Sequence, residues 1–200
     1  MPGASPTSAF ATASLDLAAV SDGFGRIYAG RHPDPLGFAK IPSRFSDPRR
    51  RVAGNRFGVL YLGGSLKVCF VEALIRDHGN GRLNDLLLDE RELATRNYAD
   101  VVATAPVRLL DLRGDGPLRM GIPSDVARGS GQALSRRWSL AFHEHPAAVD
   151  GIIYPSRLNG ETNLAIYDRA IGKFAVRSSV PLLRQAGLTT VLRDLKVGLQ

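Results

Sequence analysis

The residue best placed to do chemistry is Glu72, set within Leu66-Lys67-Val68-Cys69-Phe70-Val71-Glu72-Ala73-Leu74-Ile75. Apolar residues there fall on nearly every side of a 3.6-residue repeat, the pattern of a mostly buried helix. A carboxylate on such a helix is held against apolar walls, where charge is costly without a partner. One reading is an i, i+4 pair with Arg76, worth roughly a few tenths of a kcal/mol on an exposed helix. The other is a catalytic or ligand-holding carboxylate whose ionisation its surroundings tune. The position alone leaves both open.

Other reactive side chains carry weaker signals. Cys69 is the single cysteine, so it forms no internal disulfide, and within an apolar helix it reads as a small core residue in a reducing compartment. His143 and His145 stand two residues apart, diverge on a helix and have no third ligand clustered with them, so no metal site is expected. Ser156 lies where a strand opens into a loop, a common place for functional side chains, although a lone Ser there also fits an ordinary turn. Arg49-Arg50-Arg51, with Arg56 nearby, fits a solvated loop better than a phosphate site. P-loop, dinucleotide Gly fingerprint, Gly-Xaa-Ser-Xaa-Gly and paired-Cys motifs are absent from the sequence.

The elements that must position these residues can be read in outline. Gly58-Val59-Leu60-Tyr61-Leu62-Gly63 is a short apolar strand that breaks at Gly63-Gly64 and feeds the Glu72 helix, with Ser65 as its N-cap. Upstream, Arg26-Ile27-Tyr28-Ala29-Gly30 alternates as a first strand, with Arg26 and Tyr28 on one face. Residues 31–57 form a long Pro-, Gly- and Arg-rich excursion that carries Arg44 beside Phe45, and long loops in compact domains are often functional. His78-Gly79-Asn80-Gly81 is a stop, and Asn84 to Ala94 is expected to be helical. Tyr98 to Ala105 and Val107 to Leu112, divided by Pro106, are expected to be strands that form an antiparallel pair. Gln132 to His145 has helical spacing, with Leu134, Trp138, Ala141 and Phe142 on one side. Gly151 to Arg157 and Asn163 to Tyr167, around an Asn159-Gly160 turn, make a hairpin, and apolar runs within residues 173–200 close the core.

The chain's 200 residues suffice for one domain with its own core. Residues 1–20 hold no Lys or Arg, and the Pro-, Ser- and Ala-rich start is expected to be a flexible segment outside the fold, leaving residues 21–200 as the domain. No stretch is long and apolar enough for a membrane span, so a cytoplasmic location is expected. A net charge of +7 and a pI near 10.1 imply an anionic partner. The arginines are scattered rather than concentrated on one helix or interleaved with aromatics, which argues against a nucleic-acid module, although a basic nucleic-acid-binding or RNA-cleaving protein is the alternative that the charge supports.

Taken in order, Arg26-Ile27-Tyr28, Arg44-Phe45, Gly58-Val59-Leu60-Tyr61-Leu62, Phe70-Val71-Glu72-Ala73-Leu74 and Gly151-Ile152-Ile153-Tyr154-Pro155-Ser156 resemble the RES family, named for its Arg, Glu and Ser. The resemblance covers residues 24–200 and assigns those three to Arg26, Glu72 and Ser156, with Tyr28, Arg44 and Tyr61 as further pocket residues. The loop departs from the family's Gly-Gly-Arg-(aromatic)-Asn-Pro, reading Pro42-Ser43-Arg44-Phe45-Ser46-Asp47-Pro48. The resemblance implies a mixed α/β (α+β) single domain with a twisted mixed sheet similar to ADP-ribosyltransferases. It further implies a toxin of a bacterial toxin–antitoxin pair that cleaves the nicotinamide–ribose bond of NAD and passes ADP-ribose to water, phosphate or a protein. NAD would be the substrate, with no resident cofactor and no metal. An Xre-like antitoxin is the implied partner, linking the protein to nucleic acid only indirectly; a homodimer is left open. A catalytically silent interaction domain of the same fold is the remaining alternative, and the altered loop is its main support.

Overall fold

In the computed structural model, which describes residues 4–20, 23–50, 52–76, 78 and 86–200, the strands are β1 (Leu17–Val20), β2 (Gly23–Ala29), β3 (Val59–Gly63), β4 (Leu86–Leu88), β5 (Arg96–Ala103), β6 (Val107–Asp111), β7 (Gly151–Pro155), β8 (Thr162–Tyr167), β9 (Phe174–Pro181) and β10 (Val197–Leu199). The helices are α1 (Leu66–Phe70), α2 (Glu90–Ala94), α3 (Gly116–Arg119), α4 (Asp125–Arg128), α5 (Gln132–Glu144) and α6 (Leu188–Asp194). Eight strands form a mixed sheet in the order β1-β6-β7-β8-β3-β2-β5-β9, and β4 pairs with β10 in a small parallel sheet. Within the large sheet, β6 and β7 run parallel, while the other neighbours are antiparallel. Among the described residues, no helix is long and apolar enough to cross a membrane.

Strand alternation divides the apolar residues between the two sheet faces. Leu60 and Leu62 of β3, Phe24 and Tyr28 of β2 and Ala99 and Val101 of β5 belong to a core on one face. The other face carries two separate cores. One gathers Val59, Tyr167, Ile152 and Tyr154 with Trp138 and Phe142 of α5. The second packs Phe70 and Leu74 with Leu88, Leu93, Leu188 and Val197, so the C-terminal segment does close the core as expected. Between these two cores the sheet face is open, and the cleft that results is where the candidate residues meet.

Several expectations hold in detail. The β7–β8 hairpin is antiparallel with Ile153 opposite Leu164, and Gly160 takes a positive φ of 76° in its turn. Ser65 caps α1 by accepting from the Val68 amide at 3.0 Å, and α5 buries Trp138 and Phe142. The helix lies directly on β3, because a Cβ at Gly63 would stand 2.6 Å from Cys69 Sγ and 2.7 Å from Val68 Cγ1. Only glycine allows that approach.

Others are corrected. β5 and β6 do not pair with each other: β5 lies between β2 and β9, whereas β6 lies between β1 and β7. Their side chains meet instead across a shared core, Val101 with Val107 and Leu109, because the sheet curls and brings distant strands face to face. The stretch expected to be helical from Asn84 becomes strand β4 and then the short α2, capped by Asp89. Asn84 and Asp85, like Gly79 to Gly81 of the stop and Arg51, lie outside the described residues. Part of the segment expected outside the fold is packed into it. Phe10 is buried edge-on against Trp138 with ring centroids 5.1 Å apart, Ala4 accepts from the Trp138 indole at 2.9 Å, and Leu17–Val20 pairs with β6. Burying an aromatic ring and pairing a strand offset the ordering of this small-residue segment.

The excursion between β2 and β3 is pinned from inside. Asp47 is buried; Arg49 binds it in a fork at 2.8 and 2.5 Å, the Phe57 amide donates to it at 3.2 Å, and Arg49 also reaches Glu144 at 2.9 Å. Burial pushes the Asp47 carboxyl up, but the Arg49 and Phe57 hydrogen bonds outweigh it and hold it below its ordinary value. A carboxylate whose folded value is depressed contributes stability above its unfolded value and loses it as pH falls through the folded value. Asp47→Asn is therefore expected to cost about 1–3 kcal/mol in urea denaturation at pH 7. The gap from the unsubstituted protein should shrink below about pH 4, where an unfolded aspartate protonates; a gap independent of pH would contradict this role.

Candidate active site

The cleft between the two cores is a cavity of 410 Å³, within the range of small-molecule sites. Tyr61 of β3, Tyr154 of β7 and Asn163 of β8 line its sheet side, Cys69, Glu72 and Arg76 one flank, and Ser43, Arg44, Ser130 and Gln132 another. Glu72 does not lie on regular α-helix. After Phe70 the helix widens into a π-helical turn, Val71–Ile75, a feature frequent at functional sites.

The Glu72 carboxylate is held by three donors from three segments. Ser156 Oγ donates to Oε1 at 2.8 Å, Asn163 Nδ2 donates to Oε1 at 2.9 Å, and Arg76 pairs with Oε2. The helical ion pair and the site carboxylate, alternatives on sequence, are thus the same group. Burial raises its proton affinity, but hydrogen bonds from Arg76 and Ser156, the Arg76 charge and the Asn163 bond prevail, so the carboxyl sits below its ordinary value and is ionised near neutrality. Ser156 is itself buried and fixed: its Oγ accepts from the Leu158 amide at 3.1 Å, and its amide donates to the Glu161 carbonyl at 2.6 Å.

Arg44 approaches from the excursion. Its guanidinium donates to the Gly129 carbonyl at 2.8 Å and reaches Ser135 Oγ at 3.5 Å. Burial lowers its proton affinity, Tyr154 and Glu72 work the other way, and Arg157 and Arg76 lower it further by repulsion. Four arginines, Arg26, Arg44, Arg76 and Arg157, line the cavity with one carboxylate, Glu72, which leaves the lining net positive. Tyr61 holds this loop in place: its hydroxyl accepts from the Phe45 amide at 2.9 Å and pairs with Ser43 Oγ at 2.9 Å.

The structure thus brings Glu72, Ser156, Arg44 and Tyr61 together. Arg26 also lines the cavity, beside Gly25 and Ile27, whereas Tyr28 does not. The Arg26 guanidinium donates to the Pro35 and Gly37 carbonyls at 2.5 and 2.6 Å, holding the start of the excursion at the cavity edge. Tyr28 is buried in the opposite core with its hydroxyl 2.7 Å from Ser179 Oγ. Tyr154, Asn163 and Arg157 escaped the sequence reading. Alternation from Ser156 points to Tyr154, and Asn163 lies across the ladder from Tyr154, but only the strand register reveals the second. His143 stacks on Phe57 with centroids 4.2 Å apart, and the His145 ring accepts from the Ala147 amide at 3.1 Å. Among the described residues no cluster of His, Cys, Asp and Glu is arranged to hold a metal ion.

A cavity with this charge should bind a compact polyanion. Inorganic pyrophosphate is expected to raise Tm at low salt, less so at high salt, because exposed charges are screened. Arg157→Ala, at the exposed mouth, should shrink the shift. A Tm indifferent to pyrophosphate would contradict an anion site.

The profile of the RES domain family matches residues 21–185. A probable toxin, y4kH of Sinorhizobium fredii (strain NBRC 101917 / NGR234), is 45% identical over 109 residues, covering 54% of this chain and 86% of that protein. Among solved structures, a chain of the M. tuberculosis MbcT-MbcA toxin–antitoxin complex superposes with a TM-score of 0.62 at 16% identity, over 90% of this chain and 91% of that one, a likeness of fold. With the family's sequence profile matching residues 21–185, most of its length, the chain belongs to the RES domain family.

Proposed function

We propose that the protein is the toxin of a toxin–antitoxin pair and that it cleaves NAD between nicotinamide and ribose, passing ADP-ribose to phosphate, water or a protein. The observation that carries this reading is an ionised carboxylate, Glu72, held by three donors in a cavity lined by arginines. When the glycosidic C–N bond breaks, its electron pair leaves with nicotinamide and the ribose becomes oxocarbenium-like. The oxygen of the acceptor then forms the new bond to that carbon and gives up its proton. Glu72 stabilises the positive charge, or holds a ribose hydroxyl, while it develops.

Arg44, with Arg76 and Arg157, suits the pyrophosphate, since guanidinium forks match phosphate oxygens. The Tyr61 and Tyr154 rings offer surfaces for the nicotinamide or ribose, and the buried Tyr154 phenol stays protonated, so it can donate. Arg26 lines the cavity and holds the start of the excursion, and Tyr28 supports β2 from the opposite core. Some arginines outside the cavity are ion-paired, as in Arg113–Asp111, Arg119–Asp16 and Arg177–Asp100, and these are committed to the protein rather than to a nucleic-acid backbone. NAD as substrate implies work in the cytoplasm. An Xre-like antitoxin is the proposed partner, by extension from the toxin name of the S. fredii relative and the complex that contains the structural neighbour.

The test is nicotinamide release from NAD by the purified chain, with and without inorganic phosphate, beside Glu72→Ala. Release should fall at least about 10²-fold in the variant, the scale of losing one charge-stabilising group. The acid limb of kcat/KM should lie below the ordinary carboxylate range, because the ionised form is favoured. A phosphate requirement would identify a phosphorylase. Release unchanged in Glu72→Ala would refute the reading.

A further inference from the structure

We propose that Asn163 is a positioning residue: with Ser156 it commits one oxygen of the Glu72 carboxylate, Oε1, to the protein and leaves Oε2 as the oxygen that meets the substrate. The catalytic consequence rests on the NAD-cleaving reading; the geometry does not.

Asn163 is 4% exposed, and its backbone is bracketed in the sheet by Gly63 of β3 on one side and Tyr154 of β7 on the other. The side chain therefore projects from an interior strand that is paired on both sides. Only its Nδ2 can donate, and turning the carboxamide over would set its oxygen against a carboxylate, so the Glu72 charge fixes the amide's orientation. A carboxylate oxygen accepts about two hydrogen bonds. Oε1 already receives Ser156 at 2.8 Å and Asn163 at 2.9 Å and is full. Oε2 receives Arg76 from the same π turn and keeps accepting capacity.

Rotating the carboxylate would break two charge-assisted bonds at once, one from a loop after β7 and one from β8. The substrate-facing oxygen is thus fixed before substrate arrives, which is what electrostatic preorganisation requires. The charged and titratable groups coupled to Glu72 are Arg76 at the end of its own turn, Arg44 from the excursion, Tyr154 on β7 and Cys69 on α1, and Arg157 beyond β7 acts on Arg44. Arg76 and Arg44 cannot replace a neutral donor at Oε1 without adding charge.

The experiment follows the Glu72 carboxyl by carbon-detected NMR titration, in parallel with the pH profile of nicotinamide release. In Asn163→Ala the Glu72 midpoint should rise by about one to two pH units, the size expected when a carboxylate loses one charge-assisted donor. In the isosteric Asn163→Asp it should rise further, because two adjoining carboxylates cannot both ionise easily. The acid limb of kcat should move with the midpoint, and kcat should fall about 10- to 100-fold with KM little changed. In the unsubstituted protein the Asn163 side-chain amide protons should shift with the same midpoint as Glu72, a reading that needs no variant to fold.

A Glu72 midpoint unmoved in folded Asn163→Ala, or amide protons blind to the Glu72 titration, overturns the proposal. A midpoint that moves as expected in a protein that releases no nicotinamide supports the positioning role and overturns the NAD reading alone.

Discussion

Everything in the site depends on how one buried carboxylate is kept ionised. Glu72 draws donors from the π turn, from the loop after β7 and from β8, and those segments belong to different cores on the same sheet face. The carboxylate therefore bridges the cleft as well as occupying it. Burial alone would favour the protonated carboxyl; three donors, one of them the Arg76 guanidinium, favour the ionised form instead. The same bonds that hold the charge also hold α1 against the β7–β8 hairpin.

How the chain achieves this follows from two local departures from regular structure. Gly63 lets α1 sit on the sheet closer than any side chain would allow, and the helix then widens at Val71–Ile75. The widened turn keeps Val71 and Leu74 buried while turning Glu72 to the cleft. No propensity in Val71-Glu72-Ala73-Leu74-Ile75 marks a π turn.

Whether a feature depends on near or distant residues explains which parts were legible in the sequence. Local signals carried through: the Ser65 cap, the Gly63-Gly64 break, the Asn159-Gly160 hairpin and the amphipathic α5 all depend on residues near one another in the chain. Glu72 stood out because a carboxylate on an all-apolar helix conflicts with burial unless something compensates, and Ser156 and Asn163 are what compensates. What depended on register or curl was not legible. Alternation put Arg26 and Tyr28 on one face, but nothing local says that Arg26 lines the cavity and Tyr28 does not. Asn163 becomes a site residue only through its strand partners, and β5 and β6 meet through curvature rather than adjacency. Phe10, in a segment of small residues, is buried by Trp138 and Phe142 of α5, more than a hundred residues away in the chain.

The altered loop around Arg44 bears on whether the site is built for function. The glycines of the family pattern would matter if the backbone needed a left-handed conformation, but neither Pro42 nor Ser43 has a positive φ. The serines here close the loop through their side chains: the Ser43 amide donates to Ser46 Oγ at 2.9 Å, Ser46 Oγ donates to the Ser43 carbonyl at 3.0 Å, and Ser43 Oγ meets the Tyr61 hydroxyl. Phe45 is fully buried, and its carbonyl accepts from Ser139 of α5 at 2.6 Å. This framework holds Arg44 in a place that opposes its charge, partly buried and repelled by Arg157 and Arg76. A cation held against other cations with one carboxylate among them lowers stability unless an anion joins them. A chain that had abandoned ligand binding would gain by replacing such an arginine with an apolar residue, whereas here four segments cooperate to keep it in place.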